Sequence, residues 1–338
     1  MKFLTYIMLM IAQTVSAQSL HLEQCPQRCF PRSVPPGNYS GIAYLGGNRY
    51  AVVSDKSEND GYFVFEIELD SVSGNIKNVE NVGFNTVKSG NSDLEGVAYN
   101  GKEGKIYLCS EGKSEITEYD VNKKTTTGKV FDLKYLYPGM RPNGGIESLS
   151  YNSKTGLFWT INEVPLSKDY EENAAYKLRI NSLDHNLNPL DTYAYRMDKA
   201  QSIGDSYIHV LGVSELTALD DGRLLVLERE FNVPRTKIGA YCLCRLYMVN
   251  PQTSSKIDNT VELLDDAPFM QKEKLCEWKT RLTLFGRGIA NYEGMCIGQP
   301  LPDGRQVLIL VSDSQNQYRH VLKDWFKSMV ITPVNKEK

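Results

Sequence analysis

Histidine is scarce in this chain, and the common catalytic motifs are missing. The four histidines stand far apart, at positions 21, 185, 209 and 320, and no H-E-x-x-H, G-x-S-x-G, P-loop or G-x-G-x-x-G pattern occurs. The sequence therefore gives no support to a zinc hydrolase, an α/β-hydrolase, a P-loop hydrolase or a dinucleotide-dependent enzyme. Any chemistry has to come from other residue types.

The sequence also lacks a hydrophobic run of the roughly 20 residues that a membrane-spanning helix needs. Its most apolar stretch, FLTYIMLMIA, is short, follows Lys2 and precedes the small residues Val-Ser-Ala that end at Ala17. This order is typical of a secretory signal peptide. We therefore expect residues 1–17 to be a signal peptide cleaved near Ala17. Residues 18–338 should form one domain of a secreted or periplasmic protein with no membrane insertion.

Excess positive charge and paired cysteine spacing are missing as well. The formal net charge is −3, whereas nucleic-acid-binding proteins usually present a basic face, so no nucleic-acid partner is expected. The seven cysteines are odd in number and show no paired C-x2-C spacing. We expect them to be mainly buried apolar side chains, with at most one disulfide, in a monomeric protein.

What the chain does contain is a repeated pair of short apolar segments. The first segment opens with a glutamate in DLEGVAY, GIESLSY, VSELTAL and NYEGMCI, and with Ser40 in SGIAYLG. The second ends in an acid or an acid-rich run in AVVSD, IYLCSE, LFWTINE, LLVLERE and LILVSD. Period-two alternation and turn pairs such as Asp221-Gly222 favour β-strands over helices.

Each repeat continues with further strand-like segments, and the repeats start 52 to 78 residues apart. Four-stranded units at such a period are typical of propeller blades. We predict an all-β fold, a β-propeller of four-stranded blades, with five blades counted and a sixth left open. The fifth repeat lacks a fourth strand, which the segment at residues 19–23 is predicted to supply, so that the termini close the ring.

Two local predictions concern the fourth repeat. The segment TVELLD is predicted to be its fourth strand. Residues 265–282 are predicted to form a helix, because Asp265 and Asp266 suit its N-cap and Pro268 suits its first turn.

The repeated acids should gather at one rim of the central channel. Two antiparallel strands joined by a tight turn place the start of the first beside the end of the second. Two like charges about 5 Å apart repel by roughly 3 kcal/mol at an effective dielectric constant near 20, so protons, bases or cations must offset them. Ca²⁺ prefers such oxygen ligands. The candidate metal ligands are Glu95, Glu147, Glu215, Glu293, Asp55, Glu111, Glu163, Glu228 and Asp313.

A structural role for the same acids is the alternative. A glutamate at a strand start can accept hydrogen bonds from backbone amides of the next blade and so tie blades together. Arg141, Arg229 and Arg287 stand near the acids in sequence and are candidates for binding a small anionic substrate, because arginine contacts anions in a bidentate manner. Their alternative role is that of counter-charges.

The blocks DLEGVAY, GVSELTALDDGRLLVLERE and NYEGMCIGQPLPDGRQVLILVSDSQNQ resemble those of the phytase-like family, described as having esterase-like activity. The likeness runs from about residue 40 to about residue 317. It implies an exported β-propeller hydrolase that depends on a divalent cation.

Our first hypothesis for function is a metal-dependent phosphoester hydrolase with Ca²⁺ as cofactor and Glu147 and Glu293 as catalytic carboxylates. A calcium-dependent lactonase or esterase is a second hypothesis. A propeller that binds a ligand without catalysis is a third.

Overall fold

The computed structural model describes residues 19–141, 144–202, 206–284, 286–318 and 321–333. Within these ranges the regular structure is almost entirely β-strand, with two short 3-10 helices at Leu133–Tyr135 and Pro251–Thr253. No helix in the described ranges is both long and apolar enough to cross a membrane. The predicted signal peptide at residues 1–17 lies outside them.

Twenty-one strands follow one another along the described part of the chain. They are β1 (Leu20–Gln24), β2 (Tyr39–Gly46), β3 (Arg49–Ser54), β4 (Asp60–Leu69), β5 (Ile76–Lys88), β6 (Leu94–Asn100), β7 (Lys105–Ser110), β8 (Glu115–Asp120), β9 (Thr125–Asp132), β10 (Ser150–Asn152), β11 (Leu157–Ile161), β12 (Lys177–Leu183), β13 (Pro189–Arg196), β14 (Ser206–Ala218), β15 (Leu224–Pro234), β16 (Tyr241–Val249), β17 (Lys256–Ile257), β18 (Lys272–Arg281), β19 (Asn291–Ile297), β20 (Gln306–Asp313) and β21 (Phe326–Pro333).

In the described part of the chain these strands form five antiparallel sheets. Their strand orders are β2-β3-β4-β5, β6-β7-β8-β9, β10-β11-β12-β13-β17, β14-β15-β16-β18 and β19-β20-β21-β1. The first strand of each sheet contacts the first strand of the next, and β19 contacts β2, so these inner strands surround a central channel. The predicted all-β propeller is confirmed.

The last sheet joins the two ends of the described chain. Strand β1 pairs antiparallel with β21, with Leu22 opposite Ile331. Leu22 is buried in a core cluster that also contains Leu308 and Met329 of the same sheet. The ring is thus closed by N-terminal and C-terminal strands in one sheet, as predicted from the incomplete fifth repeat.

The two local predictions for the fourth repeat are wrong. Strand β18, inside the predicted helix, pairs with β16 as the outer strand of the fourth sheet, while residues 260–265 form no strand. Cys276 and Trp278 both pack against the core, two residues apart, which is the period of a strand. The signals for a helix cap at residues 265–268 belong to a turn that precedes this strand.

Hydrophobic side chains fill the spaces between neighbouring sheets and fix the inner strands. Between the last and first sheets, Phe65 packs edge-on against Tyr39 at 5.2 Å and against Phe326 of β21 at 5.8 Å between ring centres. Near the channel the strands approach so closely that glycine is needed. A Cβ on Gly96 would lie 2.9 Å from the backbone nitrogen of Leu149 in the next sheet. Inner strands packed this tightly make a rigid base for the side chains at their ends.

Candidate functional site

The inner strands start with one shared irregularity. The pairing register shifts between Tyr39 and Gly41, and at the matching places in β6, β14 and β19. Each shift leaves one residue of the inner strand unpaired, and these unpaired residues occupy equivalent positions in their sheets. In the third sheet, the equivalent residue is the one that follows Ile146, which bridges to Asn162. We call this set the inner ring: Ser40, Glu95, Glu147, Ser214 and Glu293.

The fourth repeat therefore aligns on Ser214, and its predicted alignment on Glu215 is wrong by one residue. Glu215 pairs with Leu227 and so corresponds to Gly41 and Gly96 of the other sheets. Its carboxylate accepts hydrogen bonds from its own neighbour Leu216, at 2.8 Å, and from the Met295 amide of the next sheet, at 3.5 Å. Glu215 is buried one residue further along the strand and links two sheets.

A second set of equivalent residues lies on the second strands or just after them, beside the inner ring. The residues opposite the strand starts are Ser54, Ser110, Asn162, Glu228 and Ser312. The position that follows each of them forms what we call the outer ring: Asp55, Glu111, Glu163, Arg229 and Asp313. In the fourth sheet this position is held by an arginine, where the sequence pattern had indicated an acid.

Glu228 is consequently not part of the ring, because successive side chains of a strand point to opposite faces. Its buried carboxylate binds the Tyr195 hydroxyl at 2.7 Å, the Lys272 ammonium at 2.6 Å and the Asp198 amide at 3.1 Å. The structure separates this predicted metal ligand from the acids at the channel mouth and gives it a full set of partners.

The acids of the inner ring lie close enough to affect each other's ionisation. Burial, followed by the charges of Glu147 and Glu293, raises the pKa of Glu95 well above its usual value. Burial and the charges of Glu163 and Glu293 likewise raise the pKa of Glu147, against the opposing effect of Arg229. Carboxyl groups from three sheets therefore share the channel mouth, and burial together with like charge favours their protonated forms.

The Arg229 side chain supplies positive charge at the centre of this group. Its guanidinium, 5% exposed, contacts the Glu293 carboxylate, the Glu163 carboxylate at 2.6 Å and the Asn291 side-chain oxygen at 3.1 Å. Burial and the charge of Asp313 raise the pKa of Glu293, and Arg229 lowers it. The guanidinium predicted to bind substrate is thus engaged with two acids, one from each ring.

Two outer-ring acids tie neighbouring sheets together. Glu111 accepts a hydrogen bond from the Gly145 amide at 2.8 Å, and a Cβ on Gly145 would lie 2.4 Å from the Glu111 side chain. Glu163 packs in the same way against Gly212, where a Cβ would lie 2.6 Å away. The sequence left open a structural role in which these acids bind backbone amides of the next sheet. The contacts of Glu111 fit this role, and so do some of the contacts of Glu163.

Asp55, Asp93 and Glu95 form a different kind of group. One carboxylate oxygen from each lies within 4.8 Å of the others, close enough to share a metal ion. Lys56 contacts Asp55 at 2.9 Å and Asp93 at 2.8 Å, while the second oxygen of Asp55 is buried without a hydrogen-bond partner among the described residues. Sequence reasoning missed Asp93, although it stands two residues before Glu95 in DLEGVAY.

Three predicted site residues remain: the outer-ring acid Asp313 and the arginines Arg141 and Arg287. Burial raises the pKa of Asp313 to about 7, with the charge of Asp55 adding to this. Arg141 stacks on Tyr170, 4.0 Å from the ring centre. Arg287 lines a separate cavity of about 270 Å³ whose lining includes none of the ring acids. The structure therefore does not bring the three predicted arginines together.

All seven cysteines lie in the described part of the chain and none forms a disulfide. Cys242 and Cys244 are the nearest pair, with sulfur atoms 3.8 Å apart on one face of β16. Most of the seven are buried, as expected from composition.

A ring of antiparallel sheets with carboxylates at one mouth of its channel defines a β-propeller with an acidic centre. The chain belongs to the phytase-like family, described by the esterase-like activity of phytase, which it matches over residues 34–315. This match covers every residue of both rings.

Other similarities are distant. A stretch of 126 residues is 25% identical to a protein described as a probable tRNA sulfurtransferase of Staphylococcus aureus (strain MRSA252), and it covers 37% of this chain and 27% of that protein. A streptogramin B lyase structure is 13% identical with a TM-score of 0.36, covering 93% of this chain and 98% of that one. A luciferin-regenerating enzyme is 10% identical with a TM-score of 0.42, covering 94% and 96%.

Replacing Arg229 should destabilise the protein in a pH-dependent way. In Arg229→Met, Glu163 and Glu293 lose their counter-charge, and their pKa values rise further above the unfolded value of about 4.3. An acid whose pKa is raised by folding loses stability as pH rises from the unfolded to the folded pKa. We expect a loss of about 3–5 kcal/mol near pH 8 and a smaller loss near pH 5, measured by urea unfolding.

Arg49→Met is the matched control, since Arg49 is 56% exposed and 3.9 Å from Glu66. It should change the free energy of unfolding by less than about 1 kcal/mol at either pH. If Arg229→Met lost the same free energy of unfolding at both pH values, the charge of Arg229 would not be what lowers the pKa values of Glu163 and Glu293.

Proposed function

We propose that this protein is an exported hydrolase of small anionic phosphoric esters that uses a divalent cation, Ca²⁺, at the channel mouth. The observation that carries the proposal is the group formed by Asp55, Asp93 and Glu95, with the buried second oxygen of Asp55. Membership of the phytase-like family supports hydrolysis of an ester. Export rests on the signal-like sequence at residues 1–17.

The residues present fit a hard cation. Ca²⁺ binds carboxylate oxygens at about 2.3–2.6 Å, so oxygens that share one ion lie up to about 5 Å apart, as these do. The second oxygen of Asp55 is buried without a hydrogen bond of normal geometry among the described residues. The Asn38 side chain is close enough to offset part of the rise that burial causes in the pKa of Asp55, but a ligand would satisfy this oxygen better. Asp55, Asp93 and Glu95 would hold the ion, and other ligands would be water or substrate oxygens.

Lys56 is the competitor for this position. Its ammonium bridges Asp55 and Asp93, and the same two contacts raise its pKa. The side chain is 54% exposed, so its ammonium is on the solvent side of the group. Lys56 and a bound Ca²⁺ would compete for the carboxylates of Asp55 and Asp93. We therefore expect a moderate affinity for Ca²⁺.

Bound there, the cation would polarise a phosphoryl oxygen and lower the pKa of a bound water. The chain's own acids supply the proton chemistry. Burial and the charges of Glu163 and Glu293 raise the pKa of Glu147, which favours its protonated form, and this carboxyl group would give its proton to a leaving oxygen. Glu293 is oriented by Arg229 and by the Asn291 amide at 2.8 Å, which suits an acceptor fixed in place.

Binding of an anionic substrate is assigned to Arg141. Its guanidinium stacks on Tyr170, and Arg141 stands six residues before Glu147 in the segment that leads into the third sheet. Arg229 acts indirectly, by holding Glu163 and Glu293. The Arg287 cavity stays outside this arrangement. We further propose that the protein works as a monomer without nucleic-acid partners.

Calcium should stabilise the protein through the Asp55 group. We expect Ca²⁺ at 100 times its dissociation constant to add about 2.7 kcal/mol, visible as a rise of several degrees in melting temperature. Because burial raises the pKa values of Asp55 and Glu95, protons compete with the cation for these carboxylates, and the rise should be larger near pH 8 than near pH 5.5. Asp55→Asn with Glu95→Gln should remove it.

Two further variants sharpen this test. Asp303→Asn, at a surface position paired with Arg305, should leave the calcium effect unchanged. Lys56→Gln should increase calcium affinity, because the competing ammonium is gone. A melting temperature that does not respond to calcium or to chelator in either the native protein or Lys56→Gln would contradict the metal proposal.

Hydrolysis is tested with 4-nitrophenyl phosphate, 4-nitrophenyl acetate and γ-butyrolactone, each with and without Ca²⁺. We expect calcium-dependent turnover of the phosphate ester and a loss of about 10²–10⁴-fold in Glu147→Gln, with the calcium-induced thermal shift retained. Glu66→Gln, an exposed change, should keep full turnover.

The alternative functions give different results in the same assay. Turnover of the acetate or the lactone alone would replace the phosphoester assignment by the esterase or lactonase hypothesis. No turnover of any substrate by a calcium-stabilised protein would favour a binding function without catalysis.

A further inference from the structure

The channel opens at its other end into a cavity of about 550 Å³. Its lining includes residues from all of the inner strands, and its volume falls within the range of about 300–1,000 Å³ typical of small-molecule sites. It lies about four residues along the strands from the inner ring, or roughly 13 Å at the rise of a β-strand. The acids of the two rings do not line it.

Three tyrosines form the walls of this cavity. Tyr44, Tyr99 and Tyr151 occupy the same position in three consecutive sheets, four residues after the inner-ring residue, and each is half-buried. Tyr44 is held against Tyr50, at 5.3 Å between ring centres, and Tyr151 against Phe158, at 4.6 Å. The rings are thus fixed by their own sheets and still line the cavity.

The floor of the cavity is apolar. It is formed by the residues two positions after the inner ring, of which Ile42, Val97, Leu149 and Met295 are at most 3% exposed. This layer stands between the cavity and the acidic end of the channel. A ligand in the cavity therefore meets hydrocarbon below it and aromatic rings beside it.

The acid at the edge of the cavity is already paired, and both lysines there have hydrogen-bond partners. The Lys154 ammonium lies 2.6 Å from Asp220, which also accepts a hydrogen bond from Asn152 at 3.0 Å. The Lys102 ammonium donates to the Ser153 carbonyl at 2.9 Å. The edge therefore offers polar contacts and no unpaired acid, while the Lys102 ammonium, bonded to a carbonyl, keeps its charge.

We propose that this cavity binds an uncharged ring compound that carries hydroxyl groups, with the chemistry of a mono- or disaccharide. The C–H face of a sugar ring packs on tyrosine faces, whose π-electrons carry partial negative charge. Its hydroxyl groups are matched by the phenol groups and by the amide of Gln306 at the edge. This binding is independent of the hydrolase proposed above.

The test is calorimetric titration of the full protein with maltose, cellobiose and N-acetylglucosamine. We expect saturable binding of at least one of them in the millimolar range or tighter. Tyr99→Leu and Tyr151→Leu should each weaken it at least tenfold, whereas Tyr151→Phe, which keeps the ring, should weaken it less. Tyr135→Leu, at a position 78% exposed and away from the cavity, should have no effect.

Two further measurements distinguish sugar binding in this cavity from cation binding at the channel mouth. Glu95→Gln should leave sugar binding unchanged, and the sugars should not alter the calcium-induced thermal shift. The proposal is overturned if none of the three sugars binds, if binding survives both leucine variants, or if 1-naphthol binds in their place.

Discussion

Charge at the channel mouth is organised around one buried guanidinium. Arg229 occupies the position that an acid holds in every other sheet, and it reaches one acid of each ring, Glu163 and Glu293. Without a positive charge there, carboxylates from several sheets would meet in a buried space with only protons to offset their repulsion. Arg229 neutralises the side formed by the third to fifth sheets. On the opposite side, within the described residues, Asp55 and Asp93 form ion pairs with the exposed Lys56, and this difference is why we assign the cation to that side.

The structure divides the roles that the sequence had given to one set of acids. Glu111 and Glu215 bind amides of neighbouring sheets, and Glu228 belongs to a separate buried network with Lys272. Glu147 and Glu95 remain in the channel with raised pKa values, since burial and like charges surround them. A site that needs both a proton donor and cation ligands can draw them from this smaller group.

The fold and the gathering of acids could be predicted because both follow from strand alternation and hairpin geometry. The pairing of β1 with β21 followed from an incomplete repeat. The errors arose where local signals compete with register. Matching the glutamate of most other repeats aligns the fourth repeat on Glu215. The apolar residues on both sides of it align the repeat on Ser214 instead. A shift of one residue turns a side chain to the other face of the sheet. Residues 265–282 are predicted to be a helix because helix-capping residues precede β18, although β18 itself has the period-two pattern of a strand. Asp93 precedes its strand, so no strand pattern identified it.

The two ends of the channel differ in chemistry because the inner strands change character along their length. Acids or serines at their starts give way to glycine in three sheets, then to apolar residues in all five, and then to tyrosine in three sheets. This layering places a charged site and an uncharged cavity on one scaffold, with an apolar layer between them.

The most direct measurement is anomalous diffraction from crystals soaked in Mn²⁺, which accepts the same oxygen ligands as Ca²⁺. The account predicts a single strong peak between the carboxylates of Asp55, Asp93 and Glu95, with Lys56 displaced from them. A peak elsewhere in the rings, or no peak with Lys56 still bridging Asp55 and Asp93, would contradict it.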